Sequence, residues 1–402
     1  MMDKYNIVFI TGDAWRADFV DSYANVPLLS ALNTVRDRTV RFTNAYANAP
    51  WTSPGLLSML TGEPVFKHGV HFSWSSPRSG SPSVIKSLKS QGWQIPTLTY
   101  LNGLSNYITL GYPEDEIPGD HDPVRLIRAI ESTDEPFFLW FHYHDSHMPW
   151  NAAEHRKAMG IDEGAIPARL RDSVCSQFTV PRSEFTWNQE DKDLICRLYA
   201  TNILRMNEWL IRVFSALRSR GLTRNTSVVI TSDHGEELLD HGYVGHASTQ
   251  CYGTLYEEVL RIPLIVIDPR AKSRTLRGRV QGLDLFSTLL GLAGAVVPAS
   301  AGIDLSDAIS GKQEAISRLE SNKREFLFHS SRMGFRTPKE YEGHGVSAIS
   351  NGEWKLIIEN YGSERTMLFN LKDDPLEKDP VVNGTRVEYW RKKLLSASSP
   401  NK

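Results

Sequence analysis

The sequence predicts an α/β fold, with a mostly parallel central sheet covered by helices and a small antiparallel sheet near the C-terminus. Three observations carry this. Short apolar runs rich in β-branched residues alternate with segments of helical spacing, the pattern of a parallel sheet with helices on both faces. Several of those runs are continuously apolar, as buried strands are. After Arg324 the alternation stops, and short strand-like runs follow one another between turn residues.

The elements follow in order. Asn6–Thr11 is apolar and β-branched and reads as a buried strand. Pro82–Gln91 has helical spacing and stops at Gly92, a C-cap position. Ile95–Tyr100 reads as a strand. Pro136–His142 is continuously apolar and too short for a typical helix. Asp191–Arg218 is long, amphipathic and free of Gly and Pro, hence helical, with Gly221 closing it. Val228–Thr231 and Pro263–Ile267 are strands, and Leu283–Leu292 is a helix ended by Gly294. Gly302–Arg324 is polar and mixed and marks a boundary. Beyond it Glu325–His329, Gly345–Ser350, Trp354–Glu359 and Arg365–Leu371 are short strands, with a last helix near Arg386–Ala397. Residues 1–310 are therefore expected to form the main α/β domain, and 325–398 a C-terminal subdomain.

Composition excludes several classes. The chain has 402 residues, 41% hydrophobic and 23% charged, which suits a globular protein with a large core. A formal net charge of −2 gives no reason to expect a nucleic-acid or membrane-surface partner. The N-terminus carries one lysine and runs straight into a strand, without the basic start and cleavage site of a signal peptide. No stretch reaches the ~18 apolar residues of a membrane span. Three cysteines, Cys175, Cys196 and Cys251, make neither a disulfide framework nor a CxxC zinc site. A cytoplasmic, reduced protein is expected.

The chemistry lies at strand ends. Thr231-Ser232-Asp233-His234-Gly235-Glu236 follows a buried strand. Ligands bind at this edge of open α/β sheets, and Asp with His offers a metal both oxygen and nitrogen. The same residues suit a helix N-cap with Glu236 and Glu237 in the first turn. The first strand ends in Asp13-Ala14-Trp15-Arg16, and the strand after Pro136 ends in His142-Tyr143-His144-Asp145-Ser146-His147. His241 and His246 follow Asp233. Thr52 stands just before Pro54 and a helical pattern, so it falls at a helix N-terminus, where the dipole favours a bound phosphate or sulfate. His142 and His144 alternate with apolar residues and read as core groups or supports of ligands rather than as ligands. His68 and His71 are open between surface loop and substrate contact. His329 and His344 are single histidines of structural type. Trp15, Trp51, Trp74, Trp140 and Trp150 are core candidates, with Trp51 the one suited to a pocket wall. Cys251 is expected to be inert.

These segments together resemble the sulfatase branch of the alkaline phosphatase superfamily. Asn6–Asp18 resembles the first strand and metal loop, especially of phosphonate monoester hydrolases. Phe42–Gly62 resembles the nucleophile segment ending in Leu-Thr-Gly, and Pro136–Pro149 the strand ending in Asp-Pro-His-x-Pro. Thr231–Glu236 resembles the second metal motif, Thr254–Val266 the segment after it, and Leu283–Gly294 the Asp-containing helix. Asn351–Pro375 resembles the C-terminal hairpin. The resemblance implies an alkaline-phosphatase-like three-layer sandwich. It implies Asp13, Asp233 and His234 as metal ligands, and Thr52 as a nucleophile whose oxygen touches the metal. It also implies His147 and His246 at the leaving group or a non-bridging oxygen, with a second metal as the alternative for His246, and Arg16 as a brace of the metal loop.

The departures narrow the activity. Sulfatases carry Cys or Ser, converted to formylglycine, where Thr52 stands, and Arg where Leu56 stands. The resemblance therefore implies a metal-dependent hydrolase of phosphate or phosphonate esters. The alternatives are a phospho-group transferase acting on glycan or lipid head groups, and a sulfuric ester hydrolase. The paired acids of sulfatases become Gly12-Asp13, so Mn²⁺ or Zn²⁺ is favoured over Ca²⁺ or Mg²⁺, with one metal site rather than two. Expected partners are a small-molecule or glycan- or lipid-derived ester. The C-terminal subdomain is read as a cover for the site or as a surface for homo-oligomer assembly. Ser73–Ser81 and Asn151–Phe185 are the candidate specificity loops.

Overall fold

The structure, a computed structural model, describes residues 4–70, 75–99, 110–113, 116, 118–177, 186–246, 253–299, 302–331 and 345–397. In chain order the strands are β1 (Asn6–Gly12), β2 (Ser22–Tyr23), β3 (Val26–Pro27), β4 (Thr39–Tyr46), β5 (Phe138–Tyr143), β6 (Thr226–Ser232), β7 (Glu237–Leu238), β8 (Val244–Gly245), β9 (Arg261–Ile267), β10 (Arg274–Leu276) and β11 (Val280–Gln281). β12 (Phe326–Ser331), β13 (Gly345–Ser350), β14 (Trp354–Asn360) and β15 (Glu364–Asn370) follow. The central sheet has the order β10-β4-β9-β6-β1-β5, with β11 also on β4. β5, β1 and β6 are parallel, and β9 runs against both β6 and β4.

Side-chain alternation along these strands feeds two cores. Val8 and Ile10 of β1, Val228 and Ile230 of β6, and Leu139 and Phe141 of β5 pack with the helices Gln189–Ser219 and Val124–Ser132. Ile7 and Phe9, Val229, and Phe138 and Trp140 point the other way. They meet the helices Thr52–Thr61, Val84–Ser90 and Asp284–Ala293. Every residue of β1 and β6 is buried, as apolar strands covered on both faces must be. The helix Gln189–Ser219 starts in a capping box. Asn188 Oδ1 accepts from the Asp191 amide at 2.9 Å, and the Asp191 carboxylate accepts from the Asn188 amide at 3.0 Å.

Three expectations need correction, and one strand was missed. Ile95–Tyr100 forms no strand over residues 95–99, and Tyr100 lies outside the described residues. Pro96 cannot donate to a ladder, so Gln94 makes one bridge to Phe137. The Thr99 hydroxyl then donates to the Trp140 carbonyl and accepts from the His142 amide. β4 went unrecognised because Thr, Arg and Asn interrupt its apolar pattern. Gly302–Arg324 is not a bare boundary: it holds the helices Ser306–Ser310 and Gln313–Ser321, whose Ala308, Ile309 and Leu319 join the core. No helix follows Asp233; the chain continues into the β7–β8 hairpin.

The C-terminal strands form an antiparallel sheet, β12-β13-β14-β15. One face carries the helix Gly384–Ala397, with Trp390 and Leu394 on Ile349, Leu356 and Leu368. The other face packs on Tyr46, Leu255, Tyr256 and Leu260 of the main body. Lys355 is buried there, 3.0 Å from Glu257 and 2.9 Å from Glu377. Burial opposes its charge, but the two carboxylates outweigh that and raise its pKa. Burial also raises the Glu377 carboxyl to about 7, against the pull of Lys355. Lys355→Met leaves two buried acids without a cation. Its expected effect is a loss of about 3–5 kcal/mol of stability, read as a lower urea midpoint.

Candidate active site

The site is assembled by strand register. Gly12 pairs with Tyr143 of β5 and with Ser232 of β6. The residues that follow, Asp13, His144 and Asp233, therefore leave the sheet side by side at its C-terminal edge. The helix Thr52–Thr61 meets them through its first turn, with Trp51 extended before it. A Cβ on Gly55 would stand 2.6 Å from the Asp233 carbonyl oxygen, so only glycine lets the helix come this close. Thr52 Oγ1 lies 3.4 Å from Asp13 Oδ1 and 3.5 Å from His234 Nε2.

Each carboxylate has one oxygen held and one turned into the site. Asp233 Oδ1 accepts the Ala14 amide at 3.0 Å and the His234 amide at 2.8 Å. Asp233 Oδ2 is buried without a hydrogen-bond partner, 3.4 Å from His234 Nε2. Asp13 Oδ1 faces Thr52 and His234, the latter at 3.6 Å. Asp13 Oδ2 faces His142 at 3.3 Å and His144 at 3.5 Å. Burial acts against ionisation of Asp13, yet His147, His142 and His144 hold its carboxyl well below the usual range. Burial and the neighbouring Asp13 raise Asp233.

Contacts at one ring nitrogen orient the imidazoles of the site. His234 Nδ1 is 2.7 Å from the Gly235 carbonyl, which only accepts, so Nε2 is the unprotonated atom. His147 Nδ1 lies 2.5 Å from the Met148 carbonyl. His246 Nδ1 meets the Glu236 carboxylate at 2.8 Å, an arrangement that orients imidazole ligands. Burial pushes His234 down to about 4; burial and repulsion from His147 push His246 well below its ordinary value. Glu236 is raised by burial to about 8.

Among the described residues, two groups of buried side chains place ligand atoms close enough to share an ion: Asp13, Asp233 and His234, and Asp13, His147 and His246. The unpartnered Asp233 oxygen and the mixed oxygen and nitrogen donors fit a divalent metal.

The expected acids, histidines and Thr52 thus come together, with Arg16 behind them. Arg16 points to Asp18 at 2.7 Å and Asp240 at 2.5 Å, and contacts the Glu236 carbonyl at 3.4 Å. It ties the loop after β1 to the loop after β6. Trp51 is buried. His68 is neither surface nor pocket: it is fully buried on Ser58 Oγ at 3.1 Å. His329 pairs with Ser347 on β13, and His241 with Glu258. His71, Trp74, Cys251 and His344 lie outside the described residues. Two residues escaped the sequence. Glu236 resembled a first-turn acid and instead holds His246. His121 stacks on His144 with centroids 4.2 Å apart, and nothing around it in the sequence signals this.

The sulfatase family model matches residues 5–295, and the model for the C-terminal part of N-sulphoglucosamine sulphohydrolase matches residues 252–398. Arylsulfatase K of Xenopus laevis is 25% identical, over 98% of this chain and 82% of its own. A Delta 4,5-hexuronate-2-O-sulfatase of Bacteroides thetaiotaomicron is 24% identical, over 96% of this chain and 87% of its own. The solved phosphonate monoester hydrolase of Silicibacter pomeroyi has the same fold, with a TM-score of 0.77 at 16% identity, covering 99% of this chain and 96% of that one. The chain belongs to the sulfatase family and is an ester hydrolase of the alkaline-phosphatase-like superfamily.

Proposed function

We propose that this sulfatase-type hydrolase cleaves phosphate or phosphonate esters with Thr52 as nucleophile and a divalent metal at Asp13, Asp233, His234 and Thr52. The observation that carries this is the position of Thr52 Oγ1, at a helix start and within 3.5 Å of both Asp13 and His234. When bound, the metal supplies positive charge at the nucleophile and at the oxygens of the group under attack. Two aspartates and an imidazole favour Mn²⁺ or Zn²⁺.

Thr52 loses its hydroxyl proton and its Oγ1 bonds to phosphorus as the ester oxygen leaves in line with it and takes up a proton. Water then displaces Thr52 and releases the acid. His147 and His246, with ring centroids 4.9 Å apart, stand beside Asp13 and contact the leaving group or a non-bridging oxygen. Arg16 acts at a distance, as a brace between the two loops.

A sulfate ester is the second reading, favoured by the match of residues 252–398 to a sulphohydrolase segment and by relatives that include a hexuronate sulfatase. Substrates of either kind on a glycan suit both.

Purified protein with Mn²⁺ or Zn²⁺ is expected to turn over p-nitrophenyl phosphate mono- or diesters or a phosphonate monoester faster than p-nitrophenyl sulfate. A chelator abolishes that turnover and added metal restores it. Faster turnover of the sulfate supports the second reading. Thr52→Ala is expected to lower kcat by about three orders of magnitude or more while metal content stays the same. Full activity in that variant excludes Thr52 as nucleophile.

A further inference from the structure

We propose that His142 is a positioning residue. With its Nε2 protonated, it donates to Asp13 Oδ2 and so leaves Asp13 Oδ1 free for a metal. The proposal rests on the reading that Asp13, Asp233 and His234 hold a metal.

His142 and Thr11 are register partners on β5 and β1, and both are fully buried. Their side chains share a face with Trp140, two residues before His142. The Trp140 indole N–H donates to Thr11 Oγ1 at 3.1 Å, and an indole nitrogen only donates. Among the described residues the other hydrogen-bond partner of Thr11 Oγ1 is His142 Nδ1, at 2.9 Å. The Thr11 hydroxyl proton therefore goes to Nδ1, and the His142 proton goes to Nε2.

The opposite tautomer carries two penalties. It leaves the Thr11 hydroxyl proton buried without an acceptor. It also turns the Nε2 lone pair toward Asp13 Oδ2 at 3.3 Å and Asp233 Oδ2 at 3.8 Å, both of them acceptors. A buried donor left unmade costs more than a made bond contributes. The same argument excludes His142 as a metal ligand, since its inward nitrogen carries the proton. Nε2 meets no partner in good hydrogen-bond geometry, and a shift of a few tenths of an ångström brings the 3.3 Å separation to about 2.9 Å. Thr99 fixes the backbone of the same residue: its hydroxyl accepts from the His142 amide at 3.1 Å. The relay Trp140–Thr11–His142–Asp13 thus fixes the ligand from behind, where Gly12 leaves the loop with one acid.

The test is the affinity of metal-stripped protein for Mn²⁺, read from the electron paramagnetic resonance signal of free Mn²⁺. Unfolding midpoints serve as the fold control. His142→Leu removes the donor and is expected to weaken Mn²⁺ binding by about 10–100-fold. His142→Gln places an amide N–H near the same point and restores most of the affinity. Thr11→Val frees the tautomer and gives an intermediate loss. A folded His142→Leu protein that binds Mn²⁺ as tightly as the parent overturns the proposal, as does a Gln variant as weak as Leu. If His142→Leu does not fold, Thr11→Val decides: unchanged affinity there overturns it. A parent protein that binds no Mn²⁺ overturns the metal reading itself, and this inference with it.

Discussion

Two carboxylates buried next to each other, Asp13 and Asp233, set the terms for the structure around them. Taking ionised acids out of water is costly unless they are paired or hold a metal. The parallel register of β5, β1 and β6 forces the two together, so the cost is built into the sheet. The surroundings offset it with backbone amides on one Asp233 oxygen, imidazoles around Asp13, and one oxygen of each acid left facing a shared space. That space is what a divalent ion fits.

The rest of the molecule serves this pocket by close approach. Gly55 lets the Thr52 helix rest on the Asp233 backbone. Gly235 lets the following loop pass Glu258, where a Cβ would stand 2.0 Å from a carbonyl oxygen. Glu236 holds His246, and Arg16 links the loop after β1 to the loop after β6. Further out, Glu257 and Glu258 lie in the segment that meets Lys355 and His241. The C-terminal sheet therefore bears on the chain that shapes the site.

Much of this was legible in the sequence where pattern and chemistry coincide. The apolar runs at β1, β5, β6 and β9 fall where expected, and the residues just past β1, β5 and β6 carry the acids and histidines of the pocket. Periodicity failed where side chains replace backbone pairing. Residues 95–99 look extended, yet Pro96 breaks the ladder and Thr99 does the bonding. β4 is paired and partly polar, so its alternation is hidden. Glu236 could not be told from a helix-start acid, because the partner that explains it, His246, lies ten residues on in a hairpin no local signal announces. The tautomer of His142 depends on Thr11, which is distant in sequence and adjacent only through strand register.

The most direct test of the central claim is acid quench of the enzyme during turnover of a phosphorus ester, followed by peptide mass spectrometry. A phosphorylated peptide with the modification on Thr52 is the predicted result. Turnover with no label on the Thr52 peptide, or a label elsewhere, contradicts Thr52 as the nucleophile.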